Sequence, residues 1–175
     1  MQERHEDLET PEGIMPTFVV HPDGDGPFPV ILFYMDAPAI REELYDMARQ
    51  MAERGYFVVL PDLFYRFGIL RFPVRGPKSR AIWRECMANM SNAEVMEDTQ
   101  AMLEQVDSDP RARGGKLACI GFCMSGRLVV TAAGNGRLSA TKFFLVGSED
   151  GRIPKSEQTT PDNAPDEVRA PPPPP

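Results

Sequence analysis

Leu117-Ala118-Cys119-Ile120-Gly121-Phe122-Cys123-Met124-Ser125-Gly126 runs on into Arg127-Leu128-Val129-Val130-Thr131-Ala132-Ala133. It is an apolar run, a sharp turn of small residues with a thiol at its centre, and a segment of helical type. Strand, turn and helix in this order are the layout of a nucleophile elbow. The tight turn lifts its central side chain out of the sheet and aims the free N–H groups of the helix start at it, which favours negative charge there. The pattern predicts Cys123 as an attacking group and the N–H of Met124 as a donor to the oxyanion of an acyl-transfer intermediate. Cys119, on the strand side of the turn, reads as an ordinary small core residue.

Working outward, Pro29-Val30-Ile31-Leu32-Phe33-Tyr34-Met35 and Tyr56-Phe57-Val58-Val59-Leu60 are continuous rather than alternating apolar runs. Such runs are buried on both faces, as in the central strands of a mostly parallel sheet. Between them Leu44, Met47, Ala48, Met51 and Ala52 recur at helical spacing and predict an amphipathic helix over 41–54, ending before Gly55. Ser91-Asn92-Ala93-Glu94 is a capping box at the head of a further helix that ends near Asp109-Pro110. Gly114-Gly115 resets the chain for the elbow strand, and 142–147 is one more strand. Thr17–Val20 reads as a short first strand, with the acidic residues before it as a tail. Leu63–Ser79 has no period and reads as an excursion at one edge of the sheet, where binding elements often sit. Alternating strands and helices over 30–147 predict an α/β layered fold with right-handed crossovers. Composition changes after Ile153, so the expected organisation is one α/β domain over 1–153 and a disordered Pro-rich tail over 154–175.

With 175 residues, 42% hydrophobic and 26% charged, the chain has the composition of one globular domain. A net charge of −7 and the lack of any basic tract argue against nucleic acid and anionic membrane surfaces as partners. No apolar run approaches the roughly 20 residues that span a bilayer, and the N-terminus lacks an apolar targeting segment, so a cytoplasmic address is expected. Cys86, Cys119 and Cys123 form neither a disulfide framework nor a zinc pattern.

Together with the elbow, the stretches from Pro29 to Pro38 and from Arg54 to Arg66 resemble the dienelactone hydrolase family of the α/β-hydrolase superfamily, in family order from about residue 12 to about residue 137. The resemblance implies hydrolysis of a small ester or lactone by a Cys-His-Asp triad without cofactor or metal. Cys123 matches the nucleophile and Met124 the elbow oxyanion donor. Met35-Asp36-Ala37 lies where the family supplies its second oxyanion amide, from Met35 or Ala37, and an acidic residue near the resting thiol, here Asp36. Asp150, in Gly147-Ser148-Glu149-Asp150-Gly151, matches the triad acid, although Gly-x-x-Asp-Gly also satisfies ordinary turn chemistry.

Beyond residue 137 the chain departs from the family pattern. The Asp150 turn arrives early, and the family's final strand, its His-bearing loop and its last helix have no counterpart. The two histidines are His5, in the N-terminal tail, and His21, read as a solvated turn residue. The expected fold is therefore an α/β-hydrolase type incomplete at its C-terminus, truncated, spliced, deleted or degenerate. Without His, deacylation is expected to suffer most, leaving acylation without efficient turnover. Among Arg66, Arg71, Arg75, Arg80 and Arg84, a clamp for a substrate carboxylate competes with a solvated face. The alternative is a non-catalytic relative that acts as an interaction protein through Pro171–Pro175, a polyproline II ligand for an aromatic groove. A third reading is a poorly folded fragment with an exposed edge at 142–147.

Overall fold

The chain of the computed structural model, described over residues 1–144, folds around a six-stranded mixed sheet with strand order β1-β2-β4-β3-β5-β6. The strands are β1 (Gln2–Thr10), β2 (Gly13–His21), β3 (Phe28–Tyr34), β4 (Phe57–Pro61), β5 (Ala112–Phe122) and β6 (Leu138–Phe144). The helices are α1 (Glu42–Glu53), α2 (Pro77–Ala88), α3 (Asn92–Ser108) and α4 (Gly126–Ala133). β3 lies between β4 and β5, parallel to both, and β6 extends the parallel set beyond β5. The apolar runs that read as doubly buried strands occupy this centre, where Leu32, Phe33, Val58, Val59 and Leu60 have no exposed surface.

The first ten residues correct the expectation of a tail. β1 pairs with β2 along its whole length through a turn at Pro11-Glu12, and β2 pairs antiparallel with β4. The strand predicted as Thr17–Val20 is thus the second of a hairpin. Polar alternation hid β1, because an edge strand carries charge to discourage pairing with other chains. The side chains of β1 are nonetheless placed: Arg4 pairs with Asp109, Glu6 accepts a 2.8 Å hydrogen bond from the Gln105 amide, and the His5 ring lies 5.2 Å from Phe18 and 5.6 Å from Tyr45. These contacts put α1 on the face of His5 and Phe18, and α3 on the opposite face. Tyr34 reaches the α3 face, where its hydroxyl lies 2.8 Å from that of Thr99, and α3 joins α4 there through Arg127 and Asn92 at 2.8 Å. One face for the leftward crossover and the other for both rightward crossovers is the right-handed arrangement.

His21 is a second correction. It is fully buried, its ring stacked at 3° on Phe57 and at 22° on Phe28. Its Nδ1 lies 2.8 Å from the Pro22 carbonyl, and its Nε2 is buried without a hydrogen-bond partner.

Helix α1 forms within a residue or so of the predicted ends, burying Leu44, Ala48 and Ala52. The capping box of α3 is complete: the Glu94 N–H donates to Ser91 Oγ at 3.1 Å and the Ser91 N–H to Glu94 Oε2 at 2.7 Å. The Gly114-Gly115 pair lies inside β5 rather than before it, where the pairing with β3 skips from Arg113 to Ala118. β6 begins at Leu138, four residues ahead of the predicted 142. The Leu63–Ser79 excursion holds a short 3-10 turn at Tyr65–Phe67, and its end is already the start of α2, which the sequence pattern did not announce. Asp150 and the Pro-rich tail lie outside the described residues.

Candidate active site

β5 ends at Phe122, and Cys123–Ser125 makes one 3-10 turn that feeds directly into α4. Such a reversal requires close approach of the helix to the strand it leaves. A Cβ on Gly121 would lie 2.7 Å from the Ser125 Cβ and 3.0 Å from both the Ser125 carbonyl oxygen and Val129 Cγ2. Only glycine fits there without displacing backbone. Cys123 takes up the rest of the bend with φ +55°, a left-handed conformation uncommon for a residue with a side chain. Its thiol-bearing side chain is exposed while Met124 and Ser125 are buried, so the turn presents residue 123 to solvent.

The turn after β3 stands beside it. Tyr34 pairs with Gly121 in parallel register, so Met35-Asp36-Ala37 and the elbow leave the C-terminal ends of neighbouring strands together. Ser125 Oγ donates to the Met35 carbonyl and ties the two turns, a contact that the sequence reading missed although a small hydroxyl within an elbow is its natural source. Asp36 does not stand free. Both of its oxygens are taken by the Arg41 guanidinium, Oδ2 from Nη2 at 2.8 Å and Oδ1 from Nη1, and this pairing holds Arg41 more firmly in its charged form.

The described residues bring Cys123, Met124, Met35, Asp36 and Ala37 to one end of the sheet. They do not bring a histidine there. His21 ends β2 level with the start of β4, the opposite end of the sheet from the elbow, since Val20 pairs with Val58. His5 lies on β1, four strand positions from β5, or about 19 Å at ordinary strand spacing. Among the described residues no group of three or more His, Cys, Asp or Glu side chains could hold a metal ion, and no helix is long and apolar enough to cross a membrane.

The arginines divide by what they touch. Arg66 is a structural residue: it donates to both oxygens of the fully buried Asp98, at 2.6 and 3.0 Å, with the Tyr65 hydroxyl on Asp98 Oδ1 at 2.8 Å. Burial and the adjacent Asp98 carboxylate push the Tyr65 hydroxyl up to about 12. Arg71 donates at 2.7 Å to Asp62, which also accepts the Phe64 N–H at 3.2 Å and so orders the loop after β4. Arg75 donates to the exposed Glu43, at 3.2 Å.

A family model described as the dienelactone hydrolase family matches residues 15–169. The chain belongs to this family. Among curated relatives it is similar to a protein named "Putative carboxymethylenebutenolidase" from Methylorubrum extorquens, 29% identical over 149 residues covering 83% of this chain and 50% of that protein. A Yersinia pestis protein of the same name is 30% identical over 154 residues, covering 81% of this chain and 53% of its own length. The chain thus spans about half the length of these curated relatives. Its fold is that of the α/β hydrolases. A crystal structure titled "Putative Dienelactone Hydrolase" from Klebsiella pneumoniae superposes with a TM-score of 0.70 at 22% identity, over 84% of this chain and 62% of that one. A thioesterase domain from the curacin biosynthetic pathway gives 0.55 at 16% identity, over 83% and 44%.

Proposed function

We propose that this chain carries the acylation half of a dienelactone-type hydrolase acting on a small ester or lactone, with Cys123 as nucleophile. The observation that supports it is the exposed thiol of Cys123 at φ +55° on an elbow tied through Ser125 to the Met35–Ala37 turn. In this reading the Cys123 thiolate attacks the carbonyl carbon, and the carbonyl π pair moves to oxygen. The Met124 N–H and an amide of the Met35–Ala37 turn receive that oxyanion. Collapse expels the alkoxide or phenoxide and leaves a thioester on Cys123. Asp150 is the acid that would orient an imidazole in a complete triad. Hydrolysis of the thioester needs a base to activate water, and the described residues place neither His5 nor His21 near Cys123. The chain therefore acylates once and turns over poorly.

Stopped-flow release of nitrophenol from a p-nitrophenyl ester, with Cys123→Ala alongside, tests this. One stoichiometric burst that then stalls and is lost in the variant is expected. Sustained Cys123-dependent turnover would mean that a base acts on the thioester after all, and no Cys123-dependent signal would remove the nucleophile.

A further inference from the structure

The geometry assigns to Arg41 a positioning role at this site: through Asp36 it fixes the backbone of the turn that carries the second oxyanion amide. The inference rests on the reading of Cys123 as nucleophile. Arg41 is the N-cap residue of α1, with φ −162°, and its side chain makes no cap bond to the helix. A cation at that end faces the positive pole of the helix dipole, where carboxylates are favoured and guanidinium is not. Glu43 in the first turn lies 3.4 Å from the Arg41 Nε, and the closer partners of Arg41 lie behind it in the chain. Its two Nη atoms take both oxygens of Asp36, and Nη1 donates as well to the Ala39 carbonyl at 3.1 Å. The Ala39 N–H closes back on the Asp36 carbonyl at 3.1 Å, and Ala39 sits at φ +65°, a conformation that needs external support in a residue other than glycine. Both partners of the ion pair are largely buried, with 20% and 17% of the side-chain surface exposed.

The turn from Met35 to Arg41 is thereby held at two points, by Ser125 on the Met35 carbonyl and by Arg41 on Asp36 and Ala39. An oxyanion donor acts only where it is fixed before the charge develops, because a donor that must be ordered during the reaction loses its advantage. Asp36, with both oxygens occupied, is then an anchor for that turn rather than a direct partner of the resting thiol. Arginine suits the task and lysine does not replace it fully, since only the planar fork can meet two carboxylate oxygens and still reach a carbonyl.

The experiment compares wild type with Arg41→Ala, Arg41→Lys, Asp36→Asn and the double variant. Three readouts are taken: the burst rate with p-nitrophenyl acetate, the rate of Cys123 alkylation by iodoacetamide, and amide hydrogen exchange over 35–41. Alkylation needs the thiolate but no oxyanion donor. Arg41→Ala and Asp36→Asn are expected to slow the burst by about 10- to 100-fold while alkylation stays within about 2-fold and exchange over 35–41 accelerates. The double variant should be no slower than either single one, because the pair acts as a unit, and Arg41→Lys should recover part of the rate. A burst at the wild-type rate in Arg41→Ala overturns the inference and leaves the nucleophile intact. Parallel loss of burst and alkylation in both Arg41→Ala and Asp36→Asn also overturns it, since the thiol or the fold has then been disturbed. Absence of any Cys123-dependent burst in wild type overturns both readings, and unchanged exchange over 35–41 in Arg41→Ala overturns the clamp alone.

Discussion

Cys123 holds a backbone conformation that costs an ordinary residue roughly 1–2 kcal/mol, at φ +55°. Glycine would relieve it, less its own loss of chain entropy. Cys123→Gly should therefore unfold at higher denaturant than Cys123→Ala, by about 1 kcal/mol, although both lack the thiol and neither should give a burst. Equal stabilities would show that the bend is not strained. Two residues away the sign reverses. Gly121→Ala puts a methyl within 2.7 Å of the Ser125 Cβ, where backbone as well as side chain stands in its way. A loss of about 1–3 kcal/mol is expected, measured by chemical denaturation. Slower alkylation of Cys123 should accompany it, because the elbow must shift to admit the methyl group.

The elements differ in how plainly their residues announce them. The capping box of α3, the apolar runs of β3 and β4 and the periodicity of α1 are local patterns, and each appears where it was read. β1 has no such pattern: its glutamates, arginine and aspartate look like a solvated tail until β2 is there to pair with them and α3 to supply Asp109 and Gln105. His21 was misjudged for the same reason, because the Phe28 and Phe57 rings that bury it come from other strands. α2 begins in a stretch of proline, glycine and arginine whose pattern gives no period. In the site, Cys123 was legible in the strand-turn-helix pattern and the Met35–Ala37 turn through the family resemblance, whereas the bond from Ser125 to Met35 that joins them and the Arg41–Asp36 pair within the turn depend on the meeting of side chains and backbone in space. The pair that ties the loop after β4 to α3 gives a test. Arg66 and Asp98 have side-chain exposures of 8% and 0%. Asp98→Ala leaves a buried guanidinium short of its main partner and should cost about 3–5 kcal/mol. The double replacement Arg66→Met with Asp98→Leu should cost clearly less, and an equal cost would mean that packing rather than charge holds this joint.

The molecule as a whole responds to pH through more than its surface. Burial raises the Asp62 carboxyl above its ordinary value despite the bond from Arg71 and the Phe64 N–H. A folded value above the unfolded one means that the native state binds the proton more tightly. The contribution of Asp62 is then fully present below the unfolded value, near 3.9, and is lost as pH rises through the folded one. Wild type should gain stability relative to Asp62→Asn as pH falls from 7 toward 4.5 in urea titrations, and a gap that stays constant or narrows would refute this. The order of strands has a further consequence, in time. β3 meets one neighbour, β4, soon after it is made, but the other, β5, is completed only at Phe122. At ordinary rates of synthesis that delay is on the order of ten seconds. During it the inner edge of Ile31–Tyr34 has nothing to pair with, and the Met35 carbonyl awaits the Ser125 hydroxyl. The nascent chain is most exposed to mispairing at the strand that later carries the floor of its own site.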